Sequence, residues 1–303
     1  MRRFADRHVG AVGLGCTGMS RAESDRNDRR SVALIREAVD LGVTFLDTGD
    51  AYGAGHDETL VGRALRGIRD LVVVGTGAGL VADPETGRIR RDGTPAYVRG
   101  AVEASLRRLE TETVDLYYLH RVDPEVPLAE TWGAMAELVA EGKVRHLGLS
   151  QVTVAQAEEA HRIHPVAAIR SELSLWTRDP LGTDARRGAD GRRNADGQGD
   201  GDVRGNVVGW CAAKGAAFVS YAPLGRGNPG VADVVRKVAE RHAVTPAQIA
   251  IAWTLAQGGH VIPVPGTTRQ SHLYEHTRAA GVDLTEDDLA ELDAAPPPAG
   301  GHR

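Results

Sequence analysis

Eight short runs of β-branched and aliphatic residues recur along this chain, each separated from the next by a stretch of helical periodicity. Few architectures accommodate that rhythm. The runs are AVGLG (11–15), VTFLDTG (43–49), LVVVGTG (71–77), VDLYYLH (114–120), VRHLGLS (144–150), AAIRSEL (167–173), AFVSYAPLG (217–225) and HVIPVPG (260–266). Most are apolar along their length, the pattern of parallel strands buried on both faces. The intervening stretches carry helix punctuation. RSVALIREAVDLG stops on Gly42, PLAETWGAMAELVAEGK stops on Gly142, Thr94 precedes Pro95, and Thr153 opens TVAQAEEAHRIH. Eight βα units in 303 residues predict an α/β fold: a (β/α)8 TIM barrel, one domain over 1–303, with long βα loops. An open doubly wound sheet is the lesser alternative.

The first turn, GLGCTGMSRAE, holds G-x-G-x-x-G at Gly13, Gly15 and Gly18. No acidic residue follows at a convincing distance on a second strand, so this reads as a tight turn and not a dinucleotide fingerprint. Segment 182–202 lacks any bulky apolar residue and is dense in Gly, Asp and Arg, which predicts a mobile glycine-rich loop. A net charge of −5 gives no reason to expect nucleic acid or an anionic membrane as partner. No apolar run approaches the ~20 residues of a membrane helix. MRRFADRHVG has no apolar core behind its arginines and does not read as a secretory signal. Cys16 and Cys211 fit no metal spacing; they read as buried thiols, and with them the expectation is a cytoplasmic protein without metal.

In a barrel of this kind, side chains at the C-terminal strand ends share one pocket. The second run ends in Asp47, followed by Asp50 and Tyr52. The fourth ends in His120, with Arg121 next, and the fifth in Ser150-Gln151. The sixth carries Arg170 and Glu172, and the seventh Tyr221. Taken singly, Asp47 reads equally as a cap or ion-pair residue, Tyr52 as turn packing and His120 as a core histidine. Their convergence on neighbouring strand ends points to acid–base chemistry.

On these stretches the chain resembles the aldo/keto reductase superfamily, in its bacterial branch. GLGCTGMS, GVTFLDTGDAYG, DETLVGRALRG, VDLYYLHRVDP, EGKVRHLGLS, SELSLWTRDP, SYAPLGRG, TPAQIAIAWTLAQG and PVPGTTRQSHLYEH match in order over nearly the whole length. The resemblance implies a (β/α)8 barrel that binds NADPH without a Rossmann fold and reduces aldehydes and ketones through an Asp–Tyr–Lys–His tetrad. Hydride comes from the nicotinamide and the tyrosine protonates the carbonyl oxygen. It also implies a monomer acting on a small molecule.

Residue by residue, Asp47, Tyr52 and His120 match the tetrad and the lysine does not. The third strand of the family pattern ends in Thr-Lys, and here it is Thr76-Gly77. The chain has only Lys143, Lys214 and Lys237, none placed to substitute. The cofactor pattern departs too. The family's Ser-Asn is Ser150-Gln151, the glutamine of the sixth strand is Arg170, and the long clamp after PLGRG is reduced to Gly227–Gly230. Tyr221 keeps the place of the aromatic under the nicotinamide. Thr267 and Arg269 remain for the adenosine end, with Thr268 where a cation is usual, and Glu275 matches the adenine contact beside His276.

The expectation drawn from these departures is a repurposed site with no cofactor favoured. Tyr52, His120 and Asp47 would carry out dehydration or elimination, isomerisation or cyclisation. Space opened at Gly77 would take substrate together with Arg170, Arg121 and Trp176. Arg170 would meet a carboxylate or other oxygen-rich group. The alternative is an NADPH-dependent carbonyl reductase with an altered tetrad, and the third reading a non-catalytic binding protein.

Overall fold

Hydrogen bonding assembles the eight runs into one parallel sheet whose strands follow one another in chain order. The structure is a computed structural model and describes residues 1–19, 25–82, 88–182, 205–225 and 233–294. The predicted mobile loop, past Gly182, and the shortened clamp at 227–230 lie outside the described residues. The sheet strands are β3 (Leu14–Gly15), β4 (Phe45–Asp47), β5 (Val73–Ala78), β8 (Val114–Leu119), β9 (Val144–Ser150), β10 (Val166–Glu172), β11 (Ala217–Tyr221) and β12 (Val261–Val264). The first and last strands meet through a parallel bridge between Gly15 and Gly266, and Gly13 N–H donates to the Pro263 carbonyl at 2.9 Å. This closure makes a barrel and excludes the open sheet.

Closure also accounts for two glycines of the G-x-G-x-x-G motif. A Cβ on Gly13 would come within 2.8 Å of the Phe45 carbonyl oxygen, and one on Gly15 within 2.8 Å of the Val264 carbonyl oxygen. Only glycine lets β3 approach both neighbours at the seam. Of the three glycines only Gly18, with φ 84°, lies in a turn; Gly15 belongs to β3 and Gly13 immediately precedes it.

Helices clad the barrel: α1 (Asp25–Asp40), α2 (His56–Leu65), α3 (Pro95–Leu109), α4 (Leu128–Ala140), α5 (Val154–Ile163), α6 (Val207–Lys214), α7 (Asp233–Arg241), α8 (Pro246–Ala256), α9 (Gln270–Arg278) and α10 (Glu286–Ala294). Thr94 caps α3 with Pro95 in its first turn, and Thr153 and Gln156 form a reciprocal capping box on α5. Gly42 and Gly142 adopt left-handed φ values of 88° and 76° where α1 and α4 end. Among the described residues no helix is long and apolar enough to cross a membrane.

The strand period of two sends Phe45, Val73, Leu116, Tyr118, Ala168, Val219 and Ile262 into one interior cluster. The bottom is plugged by an element the sequence reading did not foresee. It is a hairpin of β1 (Arg2–Phe4) and β2 (Arg7–Val9), whose Phe4 is 1% exposed and packs edge-on to Phe45 at 5.6 Å between centroids. Strands of three residues are too short for a periodicity to be recognised.

Tyr118 governs the barrel above that plug. It is fully buried, and a Cβ on Gly75 would sit 3.0 Å from its ring, one on Gly148 2.5 Å from it. Two further short strands, β6 (Leu80–Ala82) and β7 (Ile89–Arg91), pair antiparallel beyond β5.

Phe4→Ala is expected to lower the unfolding free energy by about 3–5 kcal/mol, the usual cost of emptying a buried aromatic site. Because the plug lies at the end opposite the strand C-termini, ligand binding at 25 °C should be retained. Urea titration with a parallel binding assay checks both; an unchanged midpoint would refute the plug role.

Candidate active site

Interior-facing positions at the C-terminal ends of the strands place Asp47, Arg170 and Tyr221 on the same side of the sheet as the core cluster, with His120 one step past β8. Tyr52 follows β4 through the turn Thr48–Ala51 and begins a short 3-10 turn (Tyr52–Gly55). Gly49 keeps that turn close to β8, because a Cβ there would lie 2.5 Å from the His120 ring and 3.2 Å from the Tyr52 ring.

The centre is organised by one guanidinium. Arg170 Nε donates to Asp47 Oδ2 at 2.8 Å, and Arg170 Nη2 donates to Tyr52 Oη at 2.9 Å. Asp47 is 1% exposed and Arg170 6%, so the pair lies out of water. Burial raises the Asp47 carboxyl above the usual carboxylate range, and the adjacent guanidinium opposes that rise. Burial also pulls against the charge on Arg170. The Asp47 carboxylate and the phenols of Tyr52, Tyr221 and Tyr118 together outweigh it, and the guanidinium stays protonated.

One expectation is narrowed here and another corrected. Arg170 is not an unattached cation, because two of its five N–H donors are committed to Asp47 and Tyr52. Nor does Gly77 open a vacancy. A Cβ on Gly77 would lie 2.3 Å from the Tyr118 carbonyl oxygen and 2.7 Å from Tyr118 Cβ. The glycine is required because β8 packs directly against β5 at this register, and Gly77 is not part of the cleft wall. Gly75 and Gly77 together make room for Tyr118, ring and backbone.

His120 is 1% exposed and stands beside Tyr52 at 5.8 Å between ring centroids. Burial, and then the nearby cations of Arg170 and Arg121, push its pKa well below the usual histidine value, which keeps the imidazole neutral. Arg121 Nη1 donates to the His120 carbonyl at 2.6 Å and to Ser150 Oγ at 3.4 Å.

These groups open into a cleft of 1410 Å³ that runs from Asp47, Tyr52, His120 and Arg170 past Gln151 and Tyr221 to Thr267 and Arg269. Gln151 Nε2 donates to Tyr221 Oη, while Gln151 Oε1 is buried without a hydrogen-bond partner among the described residues. Gln151 and Ala222, both in the cleft wall, hold left-handed φ values of 52° and 49°, a strained backbone of the sort found at functional sites. The Arg170 Cζ lies 4.8 Å from the centroid of the Tyr221 ring. At the far end Arg269 N–H donates to Thr267 Oγ1 at 3.0 Å, and α9 starts there with no side chain capping its first N–H groups. Free amide donors with a guanidinium beside them suit a phosphate.

Other residues named from the sequence lie off the cleft wall. Ser150 is fully buried beneath Arg121. Trp176 packs over Gly225, where a Cβ would meet its ring at 2.6 Å. Glu275 sits one turn into α9, with buried His276 beside it. Asp50 and Tyr97 escaped selection as site residues. Tyr97 Oη donates to Asp50 Oδ2 at 3.1 Å, which joins two residues 47 apart and leaves no signal in the sequence.

A family model described as "Aldo/keto reductase family" matches residues 11–296. The "Probable aldo-keto reductase 1" of Glycine max is 35% identical over 95% of this chain and 86% of its own length. A Klebsiella pneumoniae aldo/keto reductase solved with NADP and acetate is 28% identical, with a TM-score of 0.78 over 100% of this chain and 97% of that one. The glycerol dehydrogenase of Gluconobacter oxydans is 26% identical, with a TM-score of 0.82 over 96% of this chain and 93% of that one.

Gly77→Ala is expected to destabilise the fold by about 1–3 kcal/mol through overpacking, with Gly77→Lys lower still in melting temperature and no more active. A Gly77→Lys protein that melts as the wild type and gains turnover would show that the Tyr118 backbone yields at this register.

Proposed function

The chain belongs to the aldo/keto reductase family, and on that basis we propose that it reduces a small carbonyl compound to its alcohol with NADPH, Arg170 supplying the cation of the tetrad. The observation that carries this reading is the single guanidinium donating to both Asp47 and Tyr52. The non-redox expectation rested on a lost cation; a cation from β10 reaches the acid and the phenol that a lysine on β5 would have served.

The cleft fits the cofactor. It exceeds the ~300–1,000 Å³ of ordinary small-molecule sites, which leaves room for a dinucleotide and a substrate together. Tyr221 offers a ring for the nicotinamide, and the unpartnered Gln151 Oε1 an acceptor for its carboxamide. Thr267, Arg269 and the open α9 N-terminus suit the phosphorylated adenosine end. When bound, NADPH supplies the hydride.

The protein's own part is proton delivery. Arg170 Nη2 donates to Tyr52 Oη, so the phenol proton is directed away from the guanidinium and toward the cleft. As that proton passes to the carbonyl oxygen, negative charge grows on Oη, where the guanidinium already stands. Asp47 holds the guanidinium in place and offsets its charge at rest. His120, neutral and adjacent, orients the carbonyl oxygen. Arg121, which lines the cleft next to His120, meets the electron-rich side of the substrate.

A second reading keeps non-redox proton transfer by Tyr52 and His120. It is favoured by the position of the Arg170 guanidinium over one face of the Tyr221 ring, which leaves a nicotinamide only the other.

Titration with NADPH followed by nicotinamide fluorescence separates the two. Micromolar binding is expected, and no binding up to millimolar NADPH would turn the assignment to the second reading. Tyr52→Phe should lower kcat for carbonyl reduction by about 10²–10⁴-fold with NADPH affinity unchanged. Arg170→Gln should lower it by about 10²–10³-fold. Because that change strands a buried carboxylate, Arg170→Gln combined with Asp47→Asn serves as the folded control and should be equally slow. A control retaining wild-type kcat would remove Arg170 from the mechanism.

A further inference from the structure

The reductase reading makes use of His120 but leaves unexplained which of its nitrogens carries the proton. Neither Nδ1 nor Nε2 has a hydrogen-bond partner among the described residues, and the same holds for the buried Asp50 Oδ1. Nδ1 and Oδ1 face each other at 3.9 Å. That distance is longer than a hydrogen bond, yet within a small rotation of either side chain, and such contacts commonly tighten when ligand binds. Around Gly49 the His120 ring and the Tyr52 ring come together, at 5.8 Å between centroids. With Nδ1 turned to Asp50, Nε2 is the nitrogen left for the cleft that His120 and Tyr52 both line.

The Asp50 carboxyl is held from several elements. Tyr97 on α3 donates to Oδ2, and the Asp50 N–H donates to the Gly77 carbonyl at 3.2 Å. Glu58 on α2 is fully buried and accepts from Thr76 Oγ1 at 2.5 Å and from Arg108 Nε at 2.6 Å. Of the charged groups, Glu58 disfavours a second carboxylate nearby, and Arg108 partly compensates. From β8 come Tyr117, a buried phenol, and His120 itself. Arg170 and Arg121 act on the imidazole from the cleft side.

We propose that Asp50 is a positioning residue that selects the His120 tautomer. As a carboxylic acid it donates from Oδ1 to Nδ1, so the imidazole proton resides on Nε2 and faces the reacting oxygen. As a carboxylate it accepts from Nδ1–H, and Nε2 presents a lone pair. The exchange releases one proton: the carboxyl proton moves onto Nδ1 as Nε2 gives its own up to the cleft. The acid form serves carbonyl reduction, since Nε2–H donates to the carbonyl oxygen. The carboxylate form serves alcohol oxidation, since Nε2 accepts from the hydroxyl.

Two properties of the site support this. Burial, then Glu58, push the Asp50 carboxyl up to about 7 against the opposing hydrogen bond from Tyr97, the charge of Arg108 and the Ala51 N–H. Histidine in this position stays neutral, so it can only exchange tautomers. The assignment of direction to each tautomer rests on the reductase reading; the tautomer exchange itself does not.

The test is 15N NMR of histidine-labelled full-length protein, free of substrate and cofactor, with the His120 signals assigned by their loss in His120→Gln. From pH 5.5 to 8.5 the ring should remain neutral while the proton shifts from Nε2 to Nδ1, with a midpoint near 7. In Asp50→Asn, Tyr97 holds the amide oxygen and the NH2 group faces Nδ1, so the proton should stay on Nε2 at every pH. In Tyr97→Phe the carboxylate loses a donor and the midpoint should move to higher pH. In turnover, the fall of reductive kcat as pH rises through 7 should flatten in Asp50→Asn. A tautomer that is constant with pH and identical in wild type and Asp50→Asn would overturn the proposal, as would titration of His120 to an imidazolium. Failure to bind NADPH would count against the reductase reading while leaving the NMR result intact.

Discussion

The centre of this molecule depends on a buried ion pair between strands on opposite sides of a barrel. Asp47 on β4 and Arg170 on β10 are 123 residues apart in sequence and meet only because the sheet closes. Two charges taken out of water at this depth impose a desolvation penalty of several kcal/mol per ion, recovered only where geometry and further hydrogen bonds are good. Here the guanidinium spends its second donor on the Tyr52 hydroxyl. The same bond that helps offset burial therefore places a fixed positive charge beside the Tyr52 phenol oxygen, the atom that in the proposed reduction bears the growing negative charge.

The lysine that the resemblance implies on β5 cannot coexist with this arrangement in its present register. Tyr118 fills the barrel with its ring against Gly75 and Gly148 and its backbone against Gly77. A side chain on Gly77 has nowhere to start. In the proposed mechanism the cation instead comes from Arg170, three strands further along, which reaches Asp47 and Tyr52 from across the barrel. A guanidinium suits that longer route, because its planar fork can serve two acceptors at once while an ammonium acts as a compact point charge.

Much of the architecture was legible because it is written in local periodicity. The eight runs became the eight barrel strands, and Thr94, Thr153, Gly42 and Gly142 acted as the punctuation they resembled. The glycine motif near the first strand reads as a tight turn in the sequence, but only Gly18 turns; Gly13 and Gly15 serve the close approach of β3 to its neighbours, a contact between the two ends of the sheet that local sequence does not show. The hairpin carrying Phe4 was not legible, since three-residue strands carry no repeat. Asp47, Tyr52 and His120 could be picked out because they stand at strand ends, where this fold gathers chemistry. Asp50 sat in the same quoted stretch and was passed over, because what distinguishes it is the company of Tyr97, Glu58 and His120 from three other elements.

What the sequence by itself determined was the family and the barrel, with a glycine at position 77 where the resemblance implies a lysine. What only the tertiary structure decided was the meaning of that difference. In the linear chain, Gly77 and Arg170 are two unrelated departures, and together they suggest a lost charge and an unattached one. Closure of the barrel turns them into a single change: Gly77 admits Tyr118, and Arg170 lies between Asp47 and Tyr52. Composition and spacing record which groups a chain carries, but the field at a buried oxygen depends on distance through a low-dielectric interior, and those distances exist only once the strands have closed.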